Sequence, residues 1–301
     1  MGALATLDAA ALERRLLVIT GIGGEPYFEE LFGRWTETLV DVATERLALT
    51  SEHVVVIGGG EDHPPPTKTA VLEALSGLAG NTPAESLVMV VLLGHGTESA
   101  KRASFNLKGP DLSAEEFDDA LNQFANQRIA IVNTTASSAA FIPALSGENR
   151  IIITATGSRS EQYHTEFATH WIDGLAAPEA DSDKDKRISL LEVFNYAKRA
   201  TERAYEADGR LLTEHPLLDD DGDGQGSREP SIESGDGPDA HGFYFQPSAA
   251  TGSLAQELEA RRLVERIGKL KREKTTYTEA DYFERLEALL VELAENRRAI
   301  Q

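Results

Sequence analysis

Short apolar runs, each stopped by a cluster of small residues, alternate along the first half of this chain with longer stretches of helical periodicity. Leu16–Thr20 stops at Gly21-Ile22-Gly23-Gly24, and Val54–Ile57, directly after His53, stops at Gly58-Gly59-Gly60. Leu87–Leu93 stops at Gly94-His95-Gly96, Ile129–Val132 ends in Thr134-Thr135-Ala136-Ser137-Ser138, and Arg150–Thr154 ends in Ala155-Thr156-Gly157-Ser158. Runs of this length, rich in β-branched residues, predict five buried strands. Between them, Pro26 suits a first helical turn, and Phe28, Leu31, Trp35, Leu39 and Val42 give an amphipathic helix to about Ala48. A second helix is predicted from about Thr67 to Leu78, after the exposed proline run Pro64–Pro66. Lys101 to Asp111 reads as a loop, Ser113 and Glu116 as the capping box of a helix reaching about Phe124, and Phe167, Trp171, Ile172 and Leu175 as a further helix face. Strands alternating with helices at this spacing predict an α/β fold, a mostly parallel sheet with helices on both faces.

The texture changes at Asp181. An acidic stretch to Glu192 leads into a helix reaching about Tyr205, a second acidic stretch begins at Asp219, and Gln225 to Ala240 reads as a long solvated loop. The last fifty residues are helical in pattern. Ser253 is expected to cap a helix carrying Leu254, Leu258, Val264, Ile267 and Leu270, and Thr278 a helix carrying Tyr282, Leu286, Leu289 and Leu293. The short Lys274–Tyr277 connection predicts an antiparallel hairpin. The expected organisation is an α/β domain over 1–247 and a helical hairpin over 253–301. The hairpin's apolar stripe either packs on its own domain or binds a partner, including a second copy.

Composition removes several classes of function. A net charge of −21 leaves no basic surface to displace counterions from a phosphate backbone, so no nucleic acid is expected as a partner, and anionic membranes are disfavoured. With no cysteine, disulfides, zinc–thiolate sites and thiol nucleophiles are excluded, while the compartment stays open. The first residues lack a basic segment followed by an apolar core, and no apolar run approaches a membrane span. A soluble chain without a signal peptide or membrane insertion is expected.

A histidine at one strand end, beside a turn of small residues at the next, is the arrangement of a base beside a nucleophile. Taken with strand one and its glycine turn, Pro66-Thr67-Lys68 opening the second helix, and Ile151–Ala155, these features resemble the caspase/legumain clan of cysteine peptidases, nearest its legumain-like branch, from about Leu16 to Leu175. The resemblance implies that His95 takes the place of the general acid/base. Anchoring on Ser138, it implies that Thr134 stands at the family's acidic position, Ala136 at its cysteine and Ala139 at its glycine; a slip of one residue would put Thr135 at the cysteine. A methyl group cannot attack a carbonyl, so the family's covalent route is closed. Three readings remain open: a natural pseudoenzyme that binds a protein or peptide partner, a loss of the cysteine in an ancestor or by replacement, and a hydrolase using Ser137, Ser138 or Thr135 with His95. His95 could also be a turn histidine bonded to backbone. Read as a dinucleotide phosphate loop, Gly21–Gly24 lacks the full fingerprint, and Glu25 would repel a phosphate.

The acidic stretches carry calcium-loop spacing. Asp181, Asp183, Asp185, Ser189 and Glu192 fall at positions one, three, five, nine and twelve of an EF-hand loop, with the Arg187 carbonyl at seven. Lys186 stands where that loop needs glycine for its sharp turn, and Pro178 argues against a regular incoming helix. In the second stretch, Asp219, Asp221 and Asp223 are followed by Gly224 at the sharp-turn position, but Pro230 occupies the closing position. Glu229 or a distant carboxylate would have to substitute there. Calcium is the expected cofactor, opposed by a plain acidic helix start in the first loop and a plain Asp-Gly turn in the second.

Overall fold

The computed structural model describes residues 13–99, 102–246 and 254–298. The chain divides into two compact units, one from Arg14 to Pro247 and one containing the C-terminal helices. In the first unit the elements run β1 (Arg14–Thr20), α1 (Pro26–Glu45), β2 (Val54–Ile57), α2 (Lys68–Asn81), β3 (Leu87–Leu93), β4 (Gly96–Ser99), β5 (Arg102–Phe105), β6 (Leu112–Ser113), α3 (Ala114–Leu121), β7 (Arg128–Asn133), α4 (Ile142–Leu145), β8 (Arg150–Thr154), α5 (Phe167–Gly174), α6 (Leu190–Ala207), β9 (Leu217–Asp219) and α7 (Pro238–His241). The second unit holds α8 (Leu254–Arg272) and α9 (Glu279–Arg298).

Six strands form one sheet in the order β2-β1-β3-β7-β8-β9. The first five are parallel, and β9 closes the edge antiparallel to β8. Every residue of β3, β7 and β8 is buried, the signature of central strands covered on both faces. The mostly parallel α/β architecture expected from the pattern is the one observed. Pro26 opens α1, and Ser113 and Glu116 form a reciprocal capping box at α3. Thr67 caps α2 by accepting from the Ala70 amide at 3.2 Å. Thr278 bonds the Asp281 amide at 3.2 Å at the start of α9, while Ser253 lies outside the described residues, as do the side chains of Leu254 and Leu258.

Two regions differ from expectation. The stretch around 101–111 is no simple loop: β4, β5 and β6 make a small antiparallel sheet that grows directly from His95. Its strands are short and polar, so no apolar run marks them. Gln225 to Ala240 is not a solvated loop either. Ser227 and Leu218 exchange backbone hydrogen bonds of 2.8 and 3.0 Å. The buried Asp220 carboxylate takes the amides of Gly237 (2.8 Å) and Ala240 (2.7 Å). Gly237 sits at φ 120°, and a Cβ there would lie 2.6 Å from the Ser231 backbone, so only glycine closes this loop.

Candidate functional site

Parallel pairing of Val91 with Val132 and Leu92 with Asn133 brings the two strand-end turns side by side. The contact is close: a Cβ on Gly96 would fall 2.4 Å from Thr135 Oγ1 and 2.5 Å from the Ala136 carbonyl. The histidine turn and the small-residue turn therefore meet as the spacing predicted. The His95 ring shares Nε2 with the Gly23 carbonyl at 3.2 Å. A carbonyl only accepts, so this nitrogen carries the proton. Phe28 and Phe32 pack edge-on against the ring at 4.7 and 5.0 Å between centroids. His164, which sequence reasoning missed, completes the cluster, 5.0 Å from Phe28 and stacked on Trp35 at 6.0 Å. Burial, then the charge of His95, holds the His164 imidazole below its ordinary pKa.

The turn's hydroxyls have separate fates. Thr135 Oγ1 donates to Asn133 Oδ1 at 2.7 Å. Fully buried Ser138 pairs with Thr156 Oγ1 at 3.0 Å and accepts the Thr156 amide at 3.1 Å. Ser137 adopts a left-handed conformation, φ 56°, and its amide donates to the Glu161 carbonyl at 2.9 Å. Ala136 is 7% exposed.

Residues 157–167 brace this turn. Glu161 accepts the amides of Gly157 (2.7 Å) and His215 (3.0 Å) and pairs with His215 Nδ1 at 2.8 Å. Glu214, almost wholly buried, takes the amides of Glu166 (2.8 Å) and Phe167 (3.1 Å) at the start of α5, and the Tyr205 hydroxyl at 2.9 Å. Burial outweighs those donors and pushes the Glu214 carboxyl up to about 7. An acid raised in the fold stabilises it fully below its unfolded pKa, and that contribution is lost as pH rises to about 7. Glu214→Gln is therefore expected to flatten the pH dependence of stability. Denaturant melts at pH 5 and pH 8 should give the wild type a loss on the order of 3 kcal/mol greater than the variant's.

The first acidic loop folds on itself. Lys186 N donates to Asp181 Oδ2 (3.1 Å), Asp185 N to Asp183 Oδ1 (3.0 Å) and Arg187 N to Asp185 Oδ1 (2.8 Å). Lys186 takes the left-handed conformation of the glycine it replaces, φ 70°, and Lys184 does likewise at φ 60°. Carboxylate oxygens of Asp181, Asp183 and Asp185 lie within 4.8 Å of one another. Asp181 Oδ1 is buried and meets no hydrogen-bond partner among the described residues. A buried carboxylate oxygen without a donor is costly unless a cation meets it. As Pro178 foretold, the incoming element is a 3-10 turn, Pro178–Ala180, and not a regular helix.

Two expected side-chain ligands, Glu192 and Ser189, are engaged within the loop itself. Glu192 is turned onto the loop's own donors: Ser182 N (2.8 Å), Ser182 Oγ (3.0 Å) and Asp183 N (3.3 Å) on one oxygen, Ser189 N and Oγ (both 2.9 Å) on the other. Ser189 caps α6, and the Arg187 guanidinium stacks 3.9 Å from the Tyr244 ring centroid.

The second loop has the same backbone signature, with Gly222 at φ 78° and Gly224 at φ 76°. Its grouped carboxylates are Asp219, Asp221 and Asp236. Asp223, expected as a ligand, instead bonds the Gln225 amide at 2.7 Å. The closing carboxylate is a distant one, Asp236, which also accepts the Asp220 amide at 3.1 Å. No fixed spacing announces it. Ser146 Oγ lies 2.9 Å from Asp219 Oδ1. Burial, helped by the charges of Asp221, Asp220 and Asp219, pushes the Asp236 carboxyl up to about 7, and burial raises Asp220 to about 6. Like charges so close are relieved by a bound proton or by a cation. Both groups of aspartates could hold a metal ion, and their donor set is all oxygen.

No family model matches the chain, and no curated protein does. Among solved structures, the crystal structure of protein GSU0716 from Geobacter sulfurreducens is similar to it, with a TM-score of 0.46 and 11% identity over 69% of this chain and 92% of that one. That likeness carries no residue roles. No described helix is long and apolar enough to cross a membrane.

Proposed function

We propose that this is a non-catalytic relative of the caspase/legumain peptidases, a binding module whose old cleft takes a protein or peptide and whose acidic loops hold calcium. The observation that carries it is the turn beside His95: a methyl stands at Ala136, and the Thr135 and Ser138 hydroxyls are committed to Asn133 and Thr156. The bond to Gly23 leaves Nδ1 as the unprotonated nitrogen, so what supports binding rather than acyl transfer is a turn without a thiol whose Thr135 and Ser138 hydroxyls are bonded elsewhere. A peptide partner is supported by exposed apolar side chains around the His95 cluster. Ile22, Tyr27 and Tyr163 are 37%, 61% and 72% exposed and neighbour the His95 cluster, Tyr27 through its 5.1 Å contact with Phe28 and Tyr163 through adjacent His164. Exposed aromatic side chains are recurrent anchors for protein partners.

The calcium half rests on the orphaned Asp181 oxygen and the uncompensated carboxylates around Asp236. All-carboxylate sites on pliant loops suit calcium better than magnesium, which demands stricter octahedral geometry. Asp181, Asp183 and Asp185 would hold one ion and Asp219, Asp221 and Asp236 another.

The second reading, a serine hydrolase, is favoured by one observation, the left-handed Ser137 at the strand-end turn. A fluorophosphonate probe separates the two. The binding-module reading expects no labelling of the native protein; labelling abolished by both Ser137→Ala and His95→Ala would replace it with the hydrolase.

A further inference from the structure

The α8–α9 hairpin is closed by Leu263, Ile267 and Leu270 against Tyr282 and Leu289, with Leu286 and Leu293 partly buried beside them. Arg266 and Glu292 pair across it at 3.7 Å. That seam uses only part of α9's apolar surface. Phe283, Leu290 and Val291 are 51%, 49% and 50% exposed. At roughly 100° of turn per residue, Phe283 and Leu290 lie about 80° around the helix from the buried seam, and Val291 about 170°. On α8, Ala260 and Val264, both half-buried, form a second row about 80° from its own seam, by the same reckoning. Because the helices run in opposite directions, the two offsets turn toward the same side of the hairpin. The result is one apolar face spanning both helices.

Charge says what fits there. Helix α8 has six basic residues against three acidic, and α9 has six acidic against three basic. A hairpin of opposite-charged helices is complementary to itself turned over, so that each α9 lies between its own α8 and its partner's. We propose that this face binds the same face of a second copy, forming a twofold four-helix bundle in which Phe283 and Leu290 pack on the partner's α8.

The test is sedimentation velocity on the full chain at micromolar concentration. The expected mass is twice the 32.6 kDa of one chain, falling to a single chain in Leu290→Glu with unchanged far-UV circular dichroism. If Leu290→Glu also loses helicity, Glu287→Lys decides. That exposed residue sits within the stripe, and lysine there would oppose the partner's basic α8, weakening the dimer about tenfold with helicity kept. A wild type that sediments as one chain throughout overturns the proposal, because the face then belongs to another partner or to none. A dimer indifferent to both substitutions also overturns it.

Discussion

Calcium added to the chelated protein is expected to raise its melting temperature by about 10 °C or more. A ligand present at 100 times its dissociation constant stabilises a fold by about 2.7 kcal/mol, and two sites double that. For a chain of this size each kcal/mol moves the midpoint by about 2–4 °C. The physical source is the repulsion stored in the two acidic groups. Asp219, Asp220, Asp221 and Asp236 crowd one sheet edge, with burial, then the charge of Asp239, raising the Asp220 carboxyl to about 6, and burial, then the charges of Asp221, Asp220 and Asp219, raising that of Asp236 to about 7. A divalent ion would reverse that balance, so the calcium response should be larger at pH 8 than at pH 5, where protons compete for the ligands. Asp183→Ala and Asp236→Asn should each remove about half of the shift. A melting temperature equal in calcium and chelator would end the idea.

Glu192→Ala is expected to be the most damaging single change in the acidic loops, lowering the melting temperature by roughly 6–12 °C even in chelator. One carboxylate here satisfies three backbone amides, of Ser182, Asp183 and Ser189, and two serine hydroxyls. Removing it dissolves the capping box of α6, worth about 1 kcal/mol, and strands amides that cost roughly 1 kcal/mol or more each. The lost contacts tie the loop's first turn to the helix that follows. Differential scanning calorimetry in chelator reads the effect directly, and a drop under about 2 °C would mean that the loop holds itself without Glu192. Glu192→Gln should sit between the two, keeping one acceptor and losing the charge that strengthens it.

The parallel sheet was legible because each central strand is a run of apolar residues with no polar interruption, from Leu16 to Thr20 and from Leu87 to Leu93. Strand-end chemistry was legible for the same reason: where the run stops, His95 or Thr134–Ser138 must follow. What escaped lacks a local period. Strands β4 and β5 are four residues each and polar, and β9 is three residues long. His164 and Glu214 join the site through tertiary packing alone, and Asp236 reaches its cluster across a loop whose composition suggested solvent. In the first acidic loop the spacing identified Asp181, Asp183 and Asp185. It could not foresee that Glu192 and Ser189 would serve each other and the loop amides, since a capping box and a calcium loop use the same residue types. Lys186 stands in the opposite case. Its side chain argued against the sharp turn, yet the backbone adopts it at φ 70°, at a strain of about 1–2 kcal/mol.

The calcium half of the proposal requires that both acidic loops hold an ion. Isothermal titration of the metal-stripped 301-residue chain tests it most directly. Two ions should bind per chain, with Asp183→Ala and Asp236→Asn each reducing the count to one and the double variant to none. Absence of calcium-dependent heat at millimolar calcium, or two ions bound regardless of these substitutions, would contradict it.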